Sequence, residues 1–318
     1  MLFLDRDEVA ALLPMAACMD AVERAFVAHA SGGLPAKPGV LGTPVANGGF
    51  HVKTAALGSS PAYFAAKINA NFPDNAARHG LPAIQGLIAL FDAETGRLLA
   101  VMDSIEITTL RTAAASALAA RHLARRDAST LLVCGCGNQG RAHVRFLSLV
   151  RPLRRVLAFD KDSGRAAAFA DEMRGETGLA VEAVGTVAEA FPGCDMAVTC
   201  TPARTAIVAA GDVRPGQFIA AVGANSEGKQ KLDPDILPKA RVVADIAGQS
   251  AELGEMQHAI ATNRMTAEDL HAELGQILAG QRPGRTSEEE IFIFDSTGSA
   301  LQDVAAAALV YELAGGRT

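Results

Sequence analysis

The sequence predicts an α/β fold with two domains, one of which is a parallel sheet wrapped by helices. The chain has 318 residues, enough for about two domains at ~150 residues each. After residue 130, short apolar runs alternate with helix-like segments, which is the pattern of a doubly wound parallel sheet. Between residues 34 and 103, short apolar runs are split by Gly, Pro and Asn, so this part is expected to form antiparallel strands of a second, α+β domain.

Composition and charge exclude several classes of protein. Hydrophobic residues make up 49% and charged residues 20% of the chain, which excludes wholesale disorder. The formal net charge is −6 and no block of like charge occurs, which argues against nucleic acid or an anionic membrane as a partner. No uncharged apolar stretch reaches the ~18 residues of a membrane span.

Five cysteines without a paired spacing are typical of a reducing compartment. The first residues lack a secretory pattern, because Asp5, Arg6, Asp7 and Glu8 interrupt the apolar run. We therefore expect a cytoplasmic protein. Aromatic residues are only 5% of the chain, so the core is expected to be aliphatic and rich in alanine.

The N-terminal part is expected to contain one helix and several strands. Apolar residues recur at helical spacing from residue 5 to residue 30, and Gly32-Gly33 follows. Segments 50–57, 63–68 and 86–91 read as strands, and Asp92 to Gly96 reads as a hairpin loop.

The remaining segments alternate between strand-like and helix-like patterns. An alanine-rich helix is expected at 112–124, and the uninterrupted apolar run at 130–134 indicates a strand buried on both faces. The segments that follow are 156–159, 164–175, 181–184, 187–191, 196–200, 218–222, 241–244 and 291–294, with a last helix at 300–313.

The glycines after the first buried strand form the motif G-x-G-x-x-G at Gly135, Gly137 and Gly140. Such a turn lets a pyrophosphate approach the backbone at a helix N-terminus, so the motif predicts a Rossmann-type dinucleotide site. Asp160 ends the next strand, about 20 residues further on, where an acid accepts hydrogen bonds from a ribose. Its alternative role is that of a turn former.

The carboxylate of Asp160 would repel a 2′-phosphate, so NAD(H) is favoured as the cofactor. NADP(H) stays the alternative, because Lys161 and Arg165 are close enough in sequence to blunt that repulsion. No metal is expected, since Cys134 and Cys136 occupy a strand position and the x of G-x-G. The residues assigned to the cofactor site are Gly135, Gly137, Asn138, Gln139, Gly140, Asp160, Thr112, Thr201, Val222, Gly223 and Thr297.

Three cations lie inside apolar segments of the N-terminal part: Lys53, Lys67 and Arg111. Burying a charge is costly unless it is paired, so an anionic ligand such as an amino-acid carboxylate is a reasonable partner. Taken singly, each cation is better explained as a side chain that reaches solvent with its charged end or forms a salt bridge. The three together favour a carboxylate pocket.

These motifs carry a resemblance that spans nearly the whole chain. The runs at 67–71, 80–82, 85–86, 92–96, 102–103, 108–113, 223–229 and 294–303 resemble those of the ornithine cyclodeaminase/mu-crystallin family, closest to its Δ1-pyrroline-2-carboxylate (ketimine) reductase members. The resemblance implies a homodimer. It also implies a Rossmann domain at 111–296 and a substrate-binding and dimerisation domain made of 1–110 and 297–318. Members bind a nicotinamide cofactor and act on α-amino or α-imino acids.

By the same resemblance, Lys67 matches the active-site lysine and Arg111 matches the arginine that binds the substrate carboxylate. Lys37 falls near a position where many members carry a second such arginine, and a lysine there lacks the bidentate fork. Apart from the resemblance, Lys53 is expected to be a further ligand of the substrate carboxylate. His51 is a candidate proton donor, with a structural histidine as the favoured alternative.

Asn225 is the main departure from the family pattern, because cyclodeaminases and alanine dehydrogenases typically carry Asp there, near the reacting nitrogen. Cyclodeamination needs an acid/base for several proton transfers, and an amide cannot take up a proton at neutral pH. Reduction of a preformed cyclic imine asks less, since Asn225 can still orient the nitrogen. An alternative is simple divergence, with activity retained through water.

The expected function is therefore NAD(P)H-dependent reduction of Δ1-pyrroline-2-carboxylate, and of Δ1-piperideine-2-carboxylate as a second substrate, to L-proline and L-pipecolate. Three alternatives stay open. They are an ornithine cyclodeaminase, an alanine or other amino-acid dehydrogenase, and a binding protein of the mu-crystallin kind without turnover.

Overall fold

The structure is a computed structural model that describes residues 1–33, 38–58, 60–224 and 226–316. Two compact units make up the chain. The first comprises Met1–Thr112 and Ser299–Thr318, and the second comprises Ala113–Gly298. The substrate-binding and cofactor-binding roles assigned to the two domains stay predictions.

The first unit is built on a six-stranded sheet in the order β1-β6-β5-β4-β3-β2. β1 pairs parallel with β6, and the other neighbours are antiparallel, as the sequence predicts for 50–57, 63–68 and 86–91. The strands are β1 (Leu2–Leu4), β2 (Gly39–Val45), β3 (Gly48–Leu57), β4 (Tyr63–Asn71), β5 (Ile84–Asp92) and β6 (Leu98–Asp103). The helices are α1 (Arg6–Leu12), α2 (Met15–Ala30), α3 (Asn75–His79), the start of α4 (Ser104–Leu123) and α11 (Ala300–Leu313).

The single helix expected at 5–30 is wrong, because the chain forms α1 and α2 with a break between them. Pro14 has φ −62° and ψ 139° and precedes the first residue of α2. Proline has no N–H to continue a helix and disfavours helical geometry at the residue before it, Leu13. Periodicity alone does not register this break.

The hairpin between β5 and β6 is confirmed. The Asp92 carboxylate accepts hydrogen bonds from the backbone N–H groups of Glu94 at 2.8 Å and Thr95 at 3.1 Å. Gly96 closes the loop with φ +73°, a left-handed conformation that glycine adopts without strain.

Helix α4 begins at Ser104, eight positions before the predicted start at 112. The Asp103 carboxylate accepts a hydrogen bond from the backbone N–H of Ile105 at 2.8 Å and so caps the helix. The early turns contain Ile105, Ile107 and Thr108, and β-branched residues are weak helix formers. The cap and tertiary packing therefore decide the start of this helix.

The sheet of the first unit has one buried and one exposed face. Register aligns Lys53, Lys67, Ile88 and Met102 in one row, which is buried. Helix α11 packs against β3 and β4 and against α2, and it is apolar around nearly its whole circumference, as a fully buried helix must be. This packing directs both lysines inward.

The second unit contains an eight-stranded parallel sheet in the order β15-β14-β16-β12-β10-β7-β8-β9. Strand order reverses between β7 and β10, the switch point at which doubly wound sheets bind ligands. The strands are β7 (Thr130–Cys134), β8 (Arg155–Phe159), β9 (Ala180–Ala183), β10 (Met196–Thr199), β12 (Phe218–Val222), β14 (Arg241–Ala244), β15 (Ala272–Glu273) and β16 (Phe292–Ser296). The helices that follow α4 are α5 (Asn138–Ser148), α6 (Ser163–Thr177), α7 (Val187–Ala190), α8 (Ala247–Leu253), α9 (Met256–Ala261) and α10 (Leu274–Leu278). The predicted parallel sheet is confirmed.

One feature of the second unit is absent from the sequence-based expectation. Strands β11 (Arg204–Val208) and β13 (Gln230–Leu232) form a separate two-stranded parallel sheet. β13 has three residues and polar side chains at two of them, so it gives no periodic signal. Among the described residues, no helix is long and apolar enough to cross a bilayer.

Candidate active site

The three glycines of the turn after β7 differ in how much space surrounds them. Gly135 has φ +110°, and a Cβ there would lie 3.0 Å from the Cys200 carbonyl oxygen. A Cβ at Gly140 would lie 2.4 Å from the Gly135 carbonyl oxygen. A Cβ at Gly137 would meet no described atom within 4 Å. Gly137 and Asn138 are exposed at the start of α5, so the N–H groups of this helix end face open space that suits a pyrophosphate.

This difference gives a paired prediction. Gly140→Ala should lower the thermal midpoint, because the new methyl group meets backbone. Gly137→Ala should leave the thermal midpoint unchanged, since Gly137 has extended backbone angles that alanine adopts, but weaken NADH binding at least ~10-fold by filling the phosphate approach. Scanning calorimetry and titration with NADH check both variants. Full NADH affinity in Gly137→Ala would contradict the assignment of this turn.

Asp160 lies beside the glycine turn. Its carboxylate accepts hydrogen bonds from the backbone N–H groups of Cys136 at 3.0 Å and Asp162 at 3.1 Å. These bonds fix the negative charge next to the turn, where the sequence places the ribose ligand. The adjacent thiols are unreactive, since burial raises the pKa of both Cys136 and Cys200 to about 12. No group of side chains among the described residues is arranged to hold a metal ion.

A buried histidine anchors the first turn of α5. His143 Nδ1 donates to the carbonyl oxygen of Gln139 at 2.7 Å, and its Nε2 accepts from the Ser116 hydroxyl at 2.9 Å. Burial lowers the pKa of His143 to about 4, so the ring is neutral at pH 7. Its role is to hold the backbone of the helix start that carries Asn138 and Gln139.

The other predicted cofactor residues of the second unit follow neighbouring strands. Thr201 comes after β10, Val222 ends β12 and Gly223 follows it with φ +90°, and Thr297 comes after β16. The Thr297 hydroxyl donates to Asp245 at 2.7 Å and accepts from the Gln249 amide at 2.8 Å. These residues and the glycine turn therefore meet at the carboxyl edge of one sheet.

Thr112 lies in the first unit, where its hydroxyl donates to the Thr108 carbonyl oxygen at 2.6 Å. Its predicted cofactor role stays a prediction. Lys37 and Asn225 lie outside the residues that the structure describes.

Two of the predicted substrate cations converge on one carboxylate. Lys67 Nζ lies 2.7 Å from Asp303 Oδ2, and Arg111 Nε donates to Asp303 Oδ1 at 2.8 Å. Arg111 Nη1 also donates to Gln302 Oε1 at 2.6 Å. All these side chains are buried. Asp303 and Gln302 therefore fix the plane of the guanidinium and the position of the ammonium.

Lys53 and His51 belong to the same inward face of the sheet. Lys53 is the direct cross-strand partner of Lys67, and His51 is that of Asn69. Lys53 is buried, whereas His51 is half-buried. Among the described residues, the charges that act most on Lys67 are thus one carboxylate, Asp303, and two further cations, Arg111 and Lys53.

The surroundings of Lys67 bring the pKa of its ammonium group close to neutral pH. Burial lowers the pKa of Lys67 to about 7, Asp303 opposes the shift, and Arg111 and Lys53 add to it. Burial alone would raise the pKa of Asp303, but Arg111 and Lys67 outweigh it and the net shift is downward. Lys67 can therefore gain or lose a proton near pH 7, as a general acid or base must.

Asp303 is a site residue to which the sequence-based prediction gave no role. Asp303 ends the run 294–303, one of those that carry the family resemblance. The partner it binds, Arg111, is 192 positions away along the chain. Only the packing of α11 on the sheet brings the two together, and no local pattern encodes that contact.

The doubly wound sheet and its glycine turn define a Rossmann-type α/β protein. The sequence model of the ornithine cyclodeaminase/mu-crystallin family matches residues 1–317. The chain belongs to this family, which confirms the resemblance found in its motifs.

Known proteins similar to this chain include dehydrogenases and reductases. An alanine dehydrogenase of Archaeoglobus fulgidus is 39% identical over 317 residues, which cover 98% of this chain and 94% of that protein. The solved structure of an archaeal alanine dehydrogenase dimer with bound NAD has a TM-score of 0.93 at 38% identity, covering 99% and 96% of the two chains. The structure of Thermococcus litoralis Δ1-pyrroline-2-carboxylate reductase with NADH and L-proline has a TM-score of 0.94 at 30% identity, covering 100% and 99%.

Proposed function

We propose that this chain reduces a cyclic α-imino acid with NADH, converting Δ1-pyrroline-2-carboxylate to L-proline and Δ1-piperideine-2-carboxylate to L-pipecolate. The chain is an oxidoreductase of imino and amino acids, the class to which its similar proteins belong. The observation that carries the finer proposal is Lys67, a buried lysine with a pKa of about 7 held by Asp303 beside Arg111.

The chain's own residues fit NAD(H). The open N-terminus of α5 at Gly137 suits the pyrophosphate, and the fixed carboxylate of Asp160 suits a ribose and disfavours a 2′-phosphate. Thr201, Gly223 and Thr297 stand at the carboxyl edge, where the other half of a dinucleotide binds. When NADH is bound, it supplies the hydride for C2 of the imine.

The substrate carboxylate has cationic partners in the first unit. Arg111 is held in a fixed plane by Asp303 and Gln302, and Lys53 adds a second positive charge across the strand from Lys67. Arg111 and Lys53 both act on Lys67 as further positive charges, and a bound substrate carboxylate would offset part of that charge.

Lys67 handles the proton of the imine nitrogen. A lysine with a pKa near 7 donates a proton to the imine side at neutral pH or holds it there by a hydrogen bond. Asp303 stabilises the ammonium form and fixes the position of Nζ. Asn225 would orient the imine nitrogen, since its amide donates and accepts hydrogen bonds but does not ionise at neutral pH.

A second candidate is an alanine or other amino-acid dehydrogenase that works on an acyclic imine. The 39% identity to the A. fulgidus alanine dehydrogenase favours it. An ornithine cyclodeaminase ranks lower, because residue 225 is asparagine where that chemistry calls for a carboxylate.

The test compares kcat/KM for three reductions, each with NADH and with NADPH, and for one reaction with NAD+. They are reduction of Δ1-pyrroline-2-carboxylate, reduction of Δ1-piperideine-2-carboxylate, reductive amination of pyruvate with ammonia, and cyclisation of L-ornithine with NAD+. We expect a cyclic imine with NADH to exceed pyruvate with ammonia at least ~100-fold. Preference for pyruvate would favour the alanine dehydrogenase, and ammonia release from ornithine without net NADH would favour the cyclodeaminase.

A homodimer that buries the open face of the six-stranded sheet is part of the proposal. Leu41, Val52, Ile68 and Leu87 form one cross-strand row on that face, and three of them are exposed, Leu41 by 63%. Such an apolar row on a sheet face indicates a protein contact. The similar archaeal alanine dehydrogenase is a dimer, which supports a second copy as the occupant.

Light scattering checks this prediction. The unaltered protein should have twice the chain mass of 32.9 kDa, and Leu41→Glu should shift it to the monomer by placing a charge in the interface. Leu149→Glu is the matched control, since Leu149 is 53% exposed at the end of α5 in the second unit. A monomeric unaltered protein, or a Leu41→Glu dimer as stable as the control, would contradict the assignment of this face.

A further inference from the structure

Lys231 in β13 is a completely buried lysine with an unusual environment. Its side chain is 0% exposed, and its Nζ has no hydrogen-bond partner among the described residues. A Cβ placed on Gly223 would lie 3.9 Å from this Nζ and 3.5 Å from the Thr201 carbonyl oxygen. The ammonium therefore lies under the turn that follows β12, at the carboxyl edge of the parallel sheet.

The two carboxylates that act on this ammonium, Glu255 and Asp295, accept hydrogen bonds from backbone groups. Glu255 accepts hydrogen bonds from the backbone N–H groups of Lys231 and Leu232, at 3.0 to 3.1 Å. Asp295 accepts from the backbone N–H groups of Glu255 at 3.0 Å and Met256 at 3.2 Å. Glu255 thus binds the backbone N–H of Lys231 and also acts on its ammonium, whose Nζ lies under Gly223. Around a Cβ placed on Gly223, Lys231 Nζ is within 4 Å and no carboxylate oxygen of the described residues is.

The groups that face the ammonium come from four segments. They are Glu255 before α9, Asp295 on β16, Cys200 after β10 and Lys229 next to β13. Burial lowers the pKa of Lys231 to about 8 against the opposing effect of Glu255, so the side chain is mostly charged at pH 7.

The position of this cation matters because of the chemistry of the dinucleotide. In a doubly wound sheet, the pyrophosphate binds at the first glycine turn, and one half of the dinucleotide lies over the carboxyl ends of the strands beyond the switch point. Here those strands are β10, β12 and β16. Asp160, the expected ligand of the adenosine ribose, follows β8 on one side of the switch point. The nicotinamide half of the dinucleotide would therefore lie on the other side, over β12. The oxidised nicotinamide ring carries a positive charge, whereas the reduced ring is neutral.

We propose that Lys231 biases the cofactor site toward NADH over NAD+ by placing a buried positive charge under the Gly223 turn. The inference rests on the proposed use of NAD(H) and extends it to the direction of the reaction. A buried like charge disfavours the oxidised cofactor and so favours reduction of the imine over oxidation of the amine. Lys231 acts through its electric field and needs no contact with the substrate.

The test is the ratio of the dissociation constants for NAD+ and NADH, measured by titration. Lys231→Met keeps the length and burial of the side chain and removes the charge, so the ratio should fall about tenfold. Lys231→Arg should keep the ratio. Lys239→Met is the matched control, because Lys239 is exposed and its charge is screened by solvent. A ratio in Lys231→Met within about twofold of the unaltered protein overturns the inference.

A second measurement covers the case in which Lys231→Met does not fold. In the unaltered protein, the same ratio should fall as pH rises through about 8, where Lys231 loses its proton. Asp295, with its pKa raised by burial to about 7, gains negative charge over an adjoining range and acts in the same direction. A ratio of the two dissociation constants that stays constant from about pH 6 to pH 9 overturns this inference but does not affect the proposed function. Failure of the unaltered protein to bind NADH overturns the proposed function and this inference with it.

Discussion

Lys67→Met should lower kcat for reduction of the cyclic imine by ~10³-fold at pH 7, while the dissociation constant of NADH stays within about twofold of its original value. Methionine has a similar length and tolerates burial, so the change removes the ammonium with little effect on packing. The proton donor beside Asp303 is then lost. Steady-state kinetics and an NADH titration measure the two quantities.

Lys53→Met is the comparison variant for this prediction, since Lys53 faces Lys67 across the strand pair. If Lys53 binds the substrate carboxylate, its loss should raise KM more than it lowers kcat. If Lys67→Met turned over the imine at the unaltered rate, Lys67 would not be the proton donor. Equal losses of kcat in both variants would mean that only the summed positive charge matters.

Asp303→Asn should destabilise the protein by about 3–5 kcal/mol, because it leaves two buried cations without their carboxylate. The ion pairs at stake are those to Lys67 and Arg111, at 2.7 and 2.8 Å. Unfolding in denaturant measures the loss. This is the largest stability effect expected of a single substitution in the site.

The same variant should also shift the pH dependence of activity. Asp303 raises the pKa of Lys67, so its removal moves that pKa below about 7. Reduction needs the protonated lysine, so kcat/KM falls as pH rises through the pKa of Lys67, and in Asp303→Asn this decline should begin at lower pH. Glu312→Gln is the matched control on α11, where Glu312 is exposed and accepts a hydrogen bond from Tyr63. An unshifted decline in Asp303→Asn would contradict the role given to this pair.

Features that local patterns encode were predicted well from the sequence. The buried strand β7 and the helix α11 match their predicted bounds, since a continuous apolar run and an alanine-rich helical stretch can be recognised within the segment itself. The glycine turn was also predicted, because its G-x-G-x-x-G motif is contiguous in the sequence, although the close approach at Gly135 is to the distant Cys200.

Features that depend on distant contacts were missed or misplaced. The start of α4 depends on packing as well as on its cap. The break at Pro14 is a different case, because one local residue sets it within a stretch whose periodicity is helical throughout. The cost of burying charge pointed to Lys67 and Arg111, but their shared partner Asp303 comes from the last helix of the chain. A cation inside an apolar segment can be recognised in the sequence, whereas the carboxylate that pairs with it from a distant segment cannot.

The most direct test of the central claim follows the hydride itself. The protein is incubated with Δ1-pyrroline-2-carboxylate and NADH that carries two deuterium atoms at C4 of the nicotinamide, so that transfer from either face delivers deuterium, and the product is analysed by mass spectrometry and NMR. The account predicts L-proline with one deuterium at C2 for each NADH consumed. Proline without deuterium, or proline formed only from ornithine with release of ammonia and no net consumption of NADH, would contradict it.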